Sequence, residues 1–180
     1  MSRGERRPAG GGFGRVHGKA LKTARCALMA AMMIGVKAAL SGIPNFEMVT
    51  LFTILFAKHF GGEVFWAVAV FNLCELAFWG CDTWWFAYLY IWNIIALLAI
   101  LLKNKIGSDV LLWSAFSAVC GLSFGGLCSL VYLFIPDVSP WGYFLSGLPW
   151  DIWHGICNFV LMLALFKPLD RVLGKLTVNS

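Results

Sequence analysis

The chain has 180 residues, of which 60% are hydrophobic and 13% charged, with a formal net charge of +5. Soluble domains carry about 25% charged residues. Here the apolar residues stand in long blocks without the polar face that a water-exposed helix needs, which argues against a soluble globular core. Nucleic acid is argued against as well, because the positive charge is gathered in one place. Arg3, Arg6, Arg7, Arg15, Lys19, Lys22 and Arg25 all precede the first apolar block, a placement that contacts anionic membrane lipid and sets topology.

Residues 1–20 read as a basic cytoplasmic tail, disordered around its glycine-rich stretch at 10–14. The apolar block that follows is too long for the core of a signal peptide, and no A-x-A site follows it, so no cleaved leader is expected. Residues 21–176 read as one transmembrane domain. A spanning helix needs about 20 apolar residues, and six such segments are predicted, at 22–40, 44–60, 63–79, 84–102, 108–134 and 149–166. Glu47 and Lys58 leave the second the fewest apolar residues, while Gly61-Gly62, Gly107 and Pro136 punctuate the joints. The expected fold is an all-α integral membrane bundle of six helices. With the N-terminus inside, every basic residue outside the tail except Lys37 also falls on the cytoplasmic side, and an even number of spans returns the C-terminus there. Trp84, Trp85, Trp141, Tyr143 and Trp150 then lie at the outer interface, where such rings are enriched.

Ionisable groups at membrane depth are costly and call for a partner or a cavity. Lys37 stands alone near the outer end of the first helix. It can snorkel to the headgroups, or pair with Glu47, Glu75 or a bound anion. Glu75 can equally hydrogen-bond a neighbouring helix, and Glu47 can serve the positive end of the second helix. In the sixth segment, Pro149 suits a first helical position. Asp151, His154 and Asn158 follow at spacings of three and four, which places them on one face. An Asp-His pair there is open to four readings: a structural bridge, a substrate-contacting face, a proton relay or a metal site. The last is the weakest, since two ligands do not define a site. Trp84, Trp85, Tyr88 and Trp92 crowd the start of the fourth helix. Tyr88 and Trp92 are too deep for an interface belt, and stacked rings beside a few amides suit a flat organic ligand with polar edges.

The first helix carries Ala27, Ala31, Gly35 and Ala39 at intervals of four, a small-residue ridge that lets another helix approach closely; Gly121 and Gly125 share that spacing. Either ridge can be internal packing, and the first can equally be a docking face. The six cysteines contain no C-x-x-C pair, and five fall within or at the edges of apolar blocks, where they act as small hydrophobes. No G-x-S-x-G, H-E-x-x-H or P-loop is present, so neither an enzyme nor an ATP-hydrolysing activity of this chain is expected, and no cofactor.

Three stretches, Pro44-Asn45-Phe46-Glu47-Met48-Val49-Thr50, the aromatic run Trp84 to Trp92, and Pro149-Trp150-Asp151-Ile152-Trp153-His154 through Asn158, resemble the substrate-binding S components of energy-coupling factor transporters. The resemblance extends over residues 22–175. It implies a vitamin-like ligand held in the outer half of the bundle, by Lys37, Asn45, Glu47, Glu75, Trp84, Trp85, Tyr88, Trp92, Asp151, His154 and Asn158. It also implies partnership with a transmembrane coupling subunit and two ATPase subunits, docked through Ala27, Ala31 and Gly35. The nickel and cobalt branch is disfavoured, because His17 sits in the basic tail. Cobalamin is the first expectation, with Cys81 or His154 as a possible cobalt ligand; riboflavin, thiamine or a queuosine precursor are alternatives. A solitary transporter, a membrane enzyme using Asp151 and His154, and a membrane scaffold are the competing classes.

Overall fold

The apolar blocks all fold as helix. The computed structural model describes residues 13–178, and its elements run α1 (Phe13–Leu40), α2 (Val49–Phe60), α3 (Glu63–Trp79), α4 (Thr83–Ile106), α5 (Val110–Leu122), α6 (Phe124–Ser129), a 3-10 turn (Leu130–Phe134) and α7 (Pro140–Val178). The basic tail expected over 1–20 lies, for residues 1–12, outside the described residues, as do the side chains at 13–17, His17 among them. The rest of that stretch continues α1 toward the N-terminus.

Local chemistry sets the joints. Gly61, Gly80 and Gly107 close α2, α3 and α4 with φ of 56°, 83° and 61°, a region that costs glycine nothing and other residues strain. Asp82 caps α4 by accepting from the Thr83 amide at 2.6 Å, and Asp109 caps α5 by accepting from the Leu112 amide at 3.0 Å.

Four helical stretches are long and apolar enough to cross a membrane, namely Gly18–Leu40, Thr83–Ile106, Val110–Phe134 and Pro140–Thr177. Such helices are compatible with a multi-pass membrane protein. The other two expected spans are shorter, α2 with 12 residues and α3 with 17. At 1.5 Å per residue, α2 covers about 18 Å of a hydrocarbon core of about 30 Å. Residues 44–48 do not join it as expected. Asn45 adopts a positive φ of 54°, and the Glu47 carboxylate takes up the Thr50 amide at 3.0 Å, fixing the start at Val49. α2 has no need to face lipid, since Val49 through Ala57 are all buried and α1, α3, α4, α5 and α7 surround it. A helix that is apolar all round is a core helix.

Two further boundaries differ. The fifth segment is not one helix but three pieces. Ser123 turns its hydroxyl back onto the Val119 carbonyl at 2.7 Å, and Gly125-Gly126 follow. The sixth begins at Pro140, not Pro149: Ser139 accepts from the Gly142 amide at 3.2 Å, leaving Pro140 at the first helical position. Pro149 is therefore interior to α7, and Asp151 lies well beyond the first turn where its stabilisation by the helix dipole was expected.

α5 and α7 form the closest seam of the bundle. A Cβ on Gly121 would stand 2.8 Å from the Gly155 amide nitrogen and 2.9 Å from its Cα. At the end formed by the termini of α2 and α7, Lys58 and His59 both bind Asp170, with His59 Nε2 at 2.7 Å and Lys58 over the Phe166 ring at 4.8 Å. Nearby, Arg25 joins α1 to α3 through Glu63 at 3.1 Å.

Candidate binding cavity

The connectivity brings the 41–48 loop, the α3–α4 turn and the start of α4 to the opposite end from Asp170. A cavity of about 560 Å³ opens there, within the range of about 300–1,000 Å³ typical of small-molecule sites.

One wall is ionic. Lys37, from the last turn of α1, pairs with Glu75 of α3 and reaches the Tyr88 hydroxyl at 3.3 Å. Its ammonium stands 4.4 Å from the centre of the Tyr88 ring and 5.7 Å from that of Phe71. Lys37 therefore does not snorkel; among its expected partners it takes Glu75. Facing it, Glu47 receives the Thr50 amide and hydroxyl and lies 3.1 Å from His154 Nε2. The loop is tied to α7 a second time, by Asn45 donating to the Trp150 carbonyl at 3.2 Å. The other wall is aromatic. Tyr88 and Trp92, one turn apart on α4, meet at 5.5 Å, and Phe124 closes on both at 6.1 and 5.6 Å while lying 5.1 Å from the His154 ring. Trp85 is held by donating to the Asn72 carbonyl at 2.8 Å.

Of the residues expected at the site, Lys37, Asn45, Glu47, Glu75, Trp84, Trp85, Tyr88, Trp92 and His154 line the cavity. Asp151 and Asn158 do not. They are buried in the seam behind it, where Asp151 accepts from the Gly125 amide at 2.9 Å and Asn158 donates to the Ser117 carbonyl at 3.5 Å. The shared face expected for Asp151, His154 and Asn158 exists, but His154 turns to Glu47 rather than to Asp151. Trp79, Asp82, Phe46 and Phe124 also line the cavity. Phe124 was hidden in a segment read as continuous helix, and Phe46 was passed over between the expected site residues Asn45 and Glu47. Cys81 is exposed between the lining residues Gly80 and Asp82 but does not itself line the cavity. Among the described residues, no group of three His, Cys, Asp or Glu side chains is placed to hold a metal ion. The ridge of Ala27, Ala31 and Gly35 points away from the bundle, and nothing lies within 4 Å of a Cβ built on Gly35.

Fold and cavity together describe an all-helical bundle of membrane type with a ligand-sized chamber at one end. Compared with known protein families, curated proteins and solved structures, the chain matches none.

Proposed function

We propose that this chain is the substrate-binding subunit of an energy-coupling factor importer of the plasma membrane, capturing a vitamin or related micronutrient at the outer surface. The observation that carries the reading is the cavity itself. It combines a paired lysine, a half-buried carboxylate against a buried imidazole and a stack of rings at the end opposite the basic residues Lys58, Lys103, Lys105, Lys167 and Arg171. The bias of positive charge to one side supports a reading with that end outside and both termini in the cytoplasm. In this arrangement α2 and α3 complete six passes as short helices sheltered by the longer ones. The exposed ridge of Ala27, Ala31 and Gly35 is the face offered to a transmembrane coupling subunit, which two ATPase subunits drive. The chamber's volume favours a compact ligand with one ring system over cobalamin, and Cys81 outside it and His154 engaged by Glu47 remove the support for a cobalt ligand.

The test is native mass spectrometry of the full chain extracted in mild detergent, followed by calorimetric titration with whatever compound copurifies. A tightly bound vitamin-like compound is the expected result. A protein that carries nothing and binds nothing from a panel of vitamins overturns the reading.

A further inference from the structure

We infer, building on the binding role proposed above, that the cavity selects an organic cation with a flat heteroaromatic ring. The inference starts from charge. The ionisable groups lining the chamber are Lys37, Glu47, Glu75, Asp82 and His154. The Lys37 ammonium is already taken by Glu75 and the Tyr88 hydroxyl. Glu47 and Asp82 remain, set against a single imidazole. Their two formal negative charges outnumber that one imidazole, so the lining counts as net negative. Of these two, Glu47 is sheltered, with its side chain 17% exposed, and Asp82 stands exposed at the rim. Closing such a chamber over an anion adds to an uncompensated charge, whereas a cation offsets it.

The rings point the same way. The faces of Trp84, Trp85, Tyr88 and Trp92 carry the negative side of the aromatic quadrupole, which attracts positive charge. The Lys37 ammonium over Tyr88 shows this attraction in use. A separate observation concerns the ligand's other edge. Trp92 is 2% exposed, and its indole N–H is buried with no hydrogen-bond partner. Buried donors are normally satisfied, so the occupant is expected to bring an acceptor, such as a ring nitrogen or carbonyl, to this wall. A bare metal ion does not fit, as no three ligands converge among the described residues.

Three probes of matched ring size, each carrying a carbonyl acceptor, separate the possibilities: 3-carbamoyl-1-methylquinolinium, quinoline-3-carboxamide and quinoline-3-carboxylate. Each is titrated calorimetrically into the full chain in lipid nanodiscs after any copurified compound has been washed out. The cation is expected to bind at least about tenfold more tightly than the other two. Glu47→Gln should erase about tenfold of that advantage, read as the ratio of the cation's affinity to the neutral probe's. Because Glu47 also holds the start of α2, Asp82→Asn at the exposed rim is the second variant; asparagine keeps a capping oxygen for α4, and the loss of charge is expected to remove about threefold. Equal affinities, or preference for the neutral or the anionic probe, overturn the cation while leaving the cavity as a binding site. Failure of all three probes also overturns it, and the binding role then stands or falls separately on the copurification experiment.

Discussion

Some single side chains here are held by neighbours that cannot move. Gly121 faces the backbone of Gly155 and His154, so an added methyl has no flexible side chain to displace. Gly126 faces only the Phe144 ring, at 3.4 Å, a contact that a small shift accommodates. Gly121→Ala is therefore expected to cost about 1–3 kcal/mol by overpacking, and Gly126→Ala about nothing, in thermal unfolding of the detergent-solubilised protein. Equal effects would mean that the α5–α7 seam is looser than its geometry. The second prediction concerns Lys37 and Glu75. Removing one partner strands the other charge in a sheltered site, so Lys37→Met and Glu75→Met should each destabilise by about 2–4 kcal/mol, toward the low end because Lys37 remains 24% exposed. The double variant Lys37→Met/Glu75→Met leaves no stranded charge and should lose much less than the sum. Strict additivity in that cycle would show that the pair is not coupled.

Between elements, α2 depends on its neighbours more than any other helix, since its length alone does not make it a span. Its start is fixed by Glu47, and its end by Asp170, which receives both Lys58 and His59. Asp170→Asn leaves Lys58 without a counter-charge, at a cost of about 2–3 kcal/mol given the residual exposure of the pair. Hydrogen exchange should accelerate in the last turn of α2 and in α7 after Leu165; unchanged exchange would mean that packing alone holds that end. None of this clamp was read from the sequence, because Lys58 and His59 lie 112 and 111 residues from Asp170 and no local period links them. The readable features were those with a local cause. The need of Lys37 for a partner came from its depth in an apolar block, and the common face of Asp151, His154 and Asn158 from helical spacing. What each of them touches was decided by the tertiary fold. Pro149 misplaced the start of α7 because proline suits the first helical position in general, whereas Ser139 and Pro140 supply that signal nine residues earlier in this chain. The break after Leu122 was equally hidden, since Ser123 and two glycines interrupt a helix without reducing its apolar character.

At the scale of the whole molecule, the charge asymmetry and the cavity make a single claim about orientation. The cavity end carries Cys81, the exposed one of the described cysteines, and the opposite end carries Ser108, exposed in the turn between α4 and α5. A membrane-impermeant maleimide applied to intact cells should therefore label the chain, and Cys81→Ser should abolish that labelling. Ser108→Cys in the Cys81→Ser background should react only after permeabilisation; the reverse pattern would invert the topology and place the cavity inside. The same orientation gives the ridge on α1 its meaning. Ala27, Ala31 and Gly35 are exposed along a helix whose other side packs on α2 and α3, and small residues on an uncovered helix face allow a partner helix to approach closely. An indole at position 31 occupies the approach path without touching the cavity, which lies beyond Lys37. Ala31→Trp should therefore leave ligand affinity within about twofold, since surface changes remote from a site alter stability by about 0.5 kcal/mol or less, and should abolish uptake in cells. Loss of both would mean that the variant misfolds or that the ridge packs internally. Retention of both would free the ridge of any docking role, and the chain would then carry its ligand without a partner at that face.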